Sequence, residues 1–73
     1  MMKQKICLDT MQDIYNFVEL VSKIEKNILL TDYEGHCVSA KSILGVAYSK
    51  LEWNNIYVIC DEDISGSIMR WIV

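Results

Sequence analysis

Five apolar residues, Ile14, Phe17, Val18, Val21 and Ile24, recur at helical spacing, and this stripe most constrains how the chain can fold. A helix with one apolar face must bury that face against another element. Short β-type runs stand on both sides of it: Lys5-Ile6-Cys7-Leu8 before and Asn27 to Thr31 after. In 73 residues they have one core to share, and a chain of this size buries only about 60% of its unfolded surface.

The start of this helix has a chemical signature. Thr10 is placed to cap it, with Asp13 three positions on to reach back to the cap. Asp9 and Asp13 suit the positive end of the helix dipole, and Lys23 and Lys26 suit its negative end. Asn27 to Thr31 reads as a strand. Asp32-Tyr33-Glu34-Gly35 is a turn in which Gly35 takes positive φ, and His36 to Ala40 returns as the second strand of a hairpin. Ser42 opens a second helix that runs to about Tyr48. Ser49 to Asn55 is then a polar connection anchored by Leu51 and Trp53. Ile56-Tyr57-Val58-Ile59-Cys60 is the most β-prone run and should be a central strand. Asp61-Glu62-Asp63 leads into a last helix whose stripe is Ile64, Ile68, Trp71 and Ile72, ending at the C-terminus.

The order is β-α-β-β-α-β-α over a single domain, residues 1–73, of α+β class. The expected architecture is an open-faced sandwich, a four-stranded antiparallel sheet with three helices on one face. Alternation then points Cys7, Leu29, Thr31, Cys37, Tyr57 and Ile59 away from the helices. An outer face that apolar suits a partner or a second copy of the chain, or is simply surface hydrophobicity.

Charge and cysteine usage narrow the function classes. The net charge is −3 and the Lys and Arg residues are scattered, which argues against nucleic acid. The longest apolar run, Ile43 to Tyr48, is too short to span a bilayer. Met1 to Leu8 lacks the apolar stretch of a signal peptide, so a cytoplasmic protein is expected. Cys7, Cys37 and Cys60 are odd in number and form no C-x-x-C pair. They read as free thiols in strands, with neither a disulfide nor a metal site. No phosphate-binding loop or paired-carboxylate cleft is evident, and no cofactor is expected.

The segment Ser39-Ala40-Lys41-Ser42-Ile43-Leu44-Gly45-Val46, with Phe17-Val18 in the first helix, resembles HPr, the histidine-containing phosphocarrier family of the bacterial sugar phosphotransferase system. The resemblance covers nearly the whole chain and implies the same element order, with a third helix shorter than the family's. In that family a His at the N-terminus of the first helix takes phosphate from enzyme I and passes it on during sugar transport. Here Thr10 stands at that position, Gln12 at that of the family's Arg and Asp13 at that of its Pro. A threonine ester is not an energy-rich donor, and Asp9 and Asp13 repel phosphate. A catalytic relay residue is therefore absent, and helix capping accounts for Thr10.

Ser42 matches the serine that HPr kinase/phosphorylase modifies, and a cap position tolerates added phosphate. Plain capping is the alternative role. The resemblance further implies that Ile43, Leu44 and Ala47, with Tyr15, dock protein partners, at least one of the three on the second helix packing inward instead. Such partners are phosphotransferase-system or regulatory proteins, including HPr kinase/phosphorylase and a transcription regulator. His36, the sole His, reads as a solvent-exposed strand residue beside the turn. Three functions follow: a regulatory, non-enzymatic docking protein switched at Ser42; a phosphocarrier using His36 or another site; and a structural homodimer built on the outer sheet face.

Overall fold

The computed structural model describes residues 1–73. The elements are β1 (Met2–Ile6), α1 (Met11–Ser22), β2 (Ile28–Thr31), β3 (Cys37–Ser39), α2 (Ile43–Glu52), β4 (Ile56–Cys60) and α3 (Ser65–Ile68). A 3-10 turn over Met69–Trp71 continues α3. The strands form one antiparallel sheet in the order β1-β4-β2-β3, so the class, the four strands and the three helices are as expected.

Register decides which side chains meet. Ile6 stands opposite Ile56, Leu30 opposite both Val58 and Val38, and Ile28 opposite Cys60. These positions share one face because strand side chains alternate. Ile6, Ile28, Leu30, Ile56, Val58 and Cys60 join Ile14, Phe17 and Val21 of α1, Val46 of α2 and Ile68 of α3 in a single core. Phe17 meets Trp71 edge to face, with ring centroids 5.3 Å apart. Such a pair contributes about 0.5–1.5 kcal/mol beyond the burial of its surface.

Leu29, Thr31, Cys37, Tyr57 and Ile59 lie on the outer face, as alternation requires. Cys7 lies just past the end of β1 and is exposed. Lys3 and Lys5 complete this face, opposite Ile59 and Tyr57. The Lys3 ammonium stands 5.0 Å from the Tyr57 ring centroid, and Tyr33 packs on the same ring. Thr31 is buried although it faces outward, and its hydroxyl donates to the His36 carbonyl at 2.8 Å.

Several boundaries differ from the sequence reading. α1 ends at Ser22 with Lys23 as its C-cap, so Ile24 and Lys26 lie past the helix, and Lys26 pairs with Glu62 instead of the helix end. β2 starts at Ile28 and β3 spans only Cys37–Ser39. β1 begins at Met2 and stops at Ile6, because pairing with the whole of β4 outweighs the local alternation at Lys5–Leu8. α2 continues through Glu52, since the buried Ser49 hydroxyl donates to the Val46 carbonyl at 2.7 Å and stays within the helix. Leu51 is consequently no anchor: it is 82% exposed, whereas Trp53 is half-buried. The last helix ends before the C-terminus. Its chain turns back on β1, where Cys7 N–H donates to the Trp71 carbonyl at 2.8 Å and Ile6 bridges Ile72. Of the three free thiols only Cys60 packs as a buried strand residue; Cys37 and Cys7 are exposed.

Gly35 has φ of +88° in the β2–β3 turn, and Gly66 in α3 has open space where a Cβ would sit. Gly35→Ala should lower stability by about 1–2 kcal/mol, the cost of a left-handed conformation for a residue with a Cβ. Gly66→Ala should raise it by about 0.4–1 kcal/mol by restricting the unfolded chain. Urea unfolding of both variants checks the opposite signs.

Candidate functional site

The N-terminus of α1 is closed by a capping box. Thr10 Oγ1 accepts from Asp13 N–H at 3.1 Å, while Asp13 Oδ2 accepts from the N–H groups of Thr10 at 3.3 Å and Asp9 at 3.2 Å. Partial burial pushes the Asp13 carboxyl up, but the Thr10 hydrogen bond, the nearby Trp71 indole and the Asp9 amide outweigh it, so its pKa lies below 3.8. The indole N–H is itself buried without a hydrogen-bond partner of good geometry. The position that the HPr resemblance assigns to a phosphoryl acceptor is thus occupied by a hydroxyl engaged in capping, beside an ionised carboxylate.

Ser42 caps α2, its Oγ accepting from Gly45 N–H at 3.1 Å. A Cβ at Gly45 would stand 3.2 Å from Val38 Cβ, so glycine there lets the start of α2 lie close against β3. Lys41 Nζ donates to the Ile24 carbonyl at 2.6 Å, which ties this cap to the segment just past the end of α1. At the other end of the helix pair, Cys7 and Leu8 line one cleft with Lys50 and Trp53. The two helices therefore run antiparallel, and Thr10 and Ser42 stand at opposite ends of them.

Of the four residues expected to dock partners, Leu44 is 81% exposed and Tyr15 is exposed, while Ile43 and Ala47 are half-buried. Three residues the sequence reading did not assign to docking, Met11, Tyr48 and Leu51, are exposed on the same two helices. Leu44, Tyr48 and Leu51 follow at i, i+4 and i+7 along α2, all exposed, and Met11 precedes Tyr15 by one turn on α1. The signal was present in that spacing, but it was hidden by ending the helix at Tyr48. Ile43 and Ala47 lie on the flank of α2 away from Gly45 and β3. Met11, Tyr15 and Val18 lie on the flank of α1 away from Leu20 and Arg70, which share a cleft near Trp71. α1 packs on α2, and Leu44, Tyr48 and Leu51 of α2 with Met11 and Tyr15 of α1 are the exposed large apolar side chains of this helix pair.

A second grouping lies at the C-terminal end of α2. His36 does not belong to β3; it closes the turn before it. Asp32 Oδ1 accepts from the N–H groups of Glu34 and His36, both at 2.9 Å, and Asp32 Oδ2 stands 2.8 Å from His36 Nδ1. The hydrogen bond and the charge of Asp32 raise the His36 pKa above 6.5 against some desolvation. Desolvation pushes Asp32 up, but the His36 ring, the two amides and the His36 charge hold it below 3.8. The pair was missed because its two residues were read separately, as a turn and a strand. Trp53 stacks near the His36 ring, with centroids 6.5 Å apart. The exposed thiol of Cys7 donates to Asp9 Oδ1 at 2.9 Å, and this bond with desolvation and the Asp9 charge raises its pKa, which favours the thiol over the thiolate.

Thr10→Ala should cost about 1 kcal/mol by loss of the cap, with Thr10→Ser close to neutral, as read by urea unfolding. In an NMR titration the His36 imidazole should protonate above pH 6.5, and Asp32→Asn should bring that midpoint down. The raised His36 pKa adds stability below pH 6.5 that is lost as pH rises through the folded value. The lowered Asp32 pKa adds stability above pH 3.8 that is lost as pH falls through its folded value. The stability gap between wild type and Asp32→Asn should therefore be widest between those two pH values. A gap that stays flat with pH would contradict the pairing.

Comparison with protein-family models, with curated proteins and with solved structures finds no match, and the reading of the chain rests on its own residues.

Proposed function

We propose that this chain is an HPr-like regulatory protein that docks other proteins through α1 and α2, accepts phosphate at Ser42 and relays none. The carrying observation is the exposure of the apolar row Leu44, Tyr48 and Leu51 along α2 and of Met11 and Tyr15 on α1, the helix it packs against. Exposed large apolar side chains grouped on two packed helices are costly in water, and grouped surfaces of this kind mark contact with a partner. The β-α-β-β-α-β-α order and the capping of α2 by Ser42 are what the HPr resemblance implies. The capping box at Thr10 supports the loss of relay, since it holds an ionised Asp13 where a phosphoryl group would have to sit.

At Ser42, added phosphate would meet the free N–H groups of the first turn of α2, and that turn carries no acidic residue to repel it. It would also change the charge beside Leu44 and so switch docking. The homodimer reading has less support, because Lys3 and Lys5 cross the outer sheet face and would need to be desolvated. No helix is long and apolar enough to cross a membrane.

Intact-mass spectrometry after incubation with HPr kinase/phosphorylase and ATP should show one added phosphate, absent in Ser42→Ala. Enzyme I with phosphoenolpyruvate should add none; phosphate from that reaction restores the carrier reading and directs attention to His36. Leu44→Glu, with unchanged circular dichroism, should slow modification by the kinase about tenfold, the effect of losing about 1.4 kcal/mol of docking energy.

A further inference from the structure

The apolar row along α2 is tied to a titratable turn. Tyr48, in the middle of that row, meets Trp53 edge to face with ring centroids 6.5 Å apart. Trp53 is the C-cap of α2: its N–H donates to the Ser49 carbonyl at 2.9 Å, and its half-buried side chain packs against the core. The same indole carries the His36 ring in an offset stack, with centroids 6.5 Å apart and planes 27° from parallel. His36 closes the β2–β3 turn, so this stack joins the turn to the end of α2.

Asp32 holds the His36 ring in that place. Its Oδ2 stands 2.8 Å from His36 Nδ1, and its Oδ1 accepts from the N–H groups of Glu34 and His36, both at 2.9 Å. One carboxylate therefore fixes both the imidazole and the backbone of the turn. The Asp32 side chain is only 12% exposed, so its charge is screened less than those of the Lys23–Glu19 and Lys26–Glu62 pairs.

Charge makes the contact conditional. The cleft between the turn and α2 has Asp32 and Glu34 on one side, Glu52 on the other, and the neutral Tyr33 and Tyr48 beside them. His36 brings the one positive charge to this lining. Lys50, the cation in the last turn of α2, lines a different cleft with Cys7 and Leu8. A protonated His36 thus offsets one of three carboxylates and sets a cation beside an indole, the best aromatic partner for positive charge. The neutral ring does neither; it keeps at most its Nδ1–H bond to Asp32. Histidine changes charge near neutral pH, and the hydrogen bond and charge of Asp32 put that change above pH 6.5.

We infer that His36 is a protonation-controlled clasp between the β2–β3 turn and α2: charged, it holds the turn on Trp53; neutral, it loosens Trp53 and with it the end of α2 and the ring of Tyr48. Contact through the row of Leu44, Tyr48 and Leu51 then depends on pH. The clasp itself stands whether or not that row docks a partner.

The test is a pH titration of the full chain by NMR, from about pH 5.5 to about pH 8.5. It follows the His36 imidazole, the Trp53 indole, the Tyr48 ring and the hydrogen exchange of the Trp53 backbone N–H. Protection of that N–H, corrected for the intrinsic pH dependence of exchange, should fall about two- to fivefold as His36 loses its proton, the effect of one exposed cation–π contact. The Tyr48 ring should shift with the same midpoint. His36→Gln should leave both flat. Asp32→Asn should move the His36, Trp53 and Tyr48 midpoints down together, and His36→Gln keeps the test decisive if Asp32→Asn disrupts the turn. Changes at Trp53 and Tyr48 that do not follow His36, or that persist in His36→Gln, overturn the clasp. A Trp53 indole shift without a change in protection reports proximity alone and overturns it as well.

Discussion

The structure depends on the pairing of β4 with β1 on one side and β2 on the other. Ile56, Val58 and Cys60 are buried on the single face that all three helices cover, and each faces a partner across the sheet. Because strand side chains alternate, fixing these three inward fixes Tyr57 and Ile59 outward. A slip of one residue would place Tyr57 and Ile59 in the core and strand Val58 on the outer face. The return of the chain onto β1 reinforces this register. Cys7 N–H bonds the Trp71 carbonyl, and Trp71 in turn packs on Phe17 of α1. Strand, helix and chain end are thereby linked through one aromatic pair.

With one face of the sheet covered, the outward sides of α1 and α2 have nothing of their own to pack against. A chain this short holds its core with Ile14, Phe17, Val21 and Val46 from these helices. Leu44, Tyr48 and Leu51 contribute nothing to that core, and polar residues would serve folding there equally well. On the proposed reading, their presence marks a surface kept for contact with a partner.

Local chemistry was legible in the sequence, and tertiary effects were not. The caps at Thr10 and Ser42, the positive φ of Gly35 and the face assignments of β2, β3 and β4 all follow from short-range rules, and all are found as read. The end of α2 was misread because Ser49 and Lys50 look like the start of a loop. Burial of Ser49 and its bond to the Val46 carbonyl keep it helical, and no local signal carries that. β1 was displaced because Lys3 and Gln4 weaken the alternation, while cross-strand pairing with Ile59 and Val58 decides the strand. The Asp32–His36 pair depends on the turn folding back by four residues, which brings Oδ2 to Nδ1. The turn was recognised, but its consequence for the imidazole requires coordinates.

α2 places opposite electrostatic demands at its two ends. At Ser42 the free N–H groups and the dipole favour added negative charge, and its first turn carries no acidic residue. Glu52, Glu34 and Asp32 gather at the other end, where Lys50 in the last turn already meets the negative end of the dipole. Had the carboxylates been at the first turn, they would repel a phosphate there. The ten residues of α2 thus separate an anion-tolerant first turn from a last turn that carries its own cation, with the apolar row of Leu44, Tyr48 and Leu51 between them. A partner segment complementary to this helix would carry apolar side chains along its length. Phosphate at Ser42 would add its charge at the Leu44 end of that contact, far from Leu51.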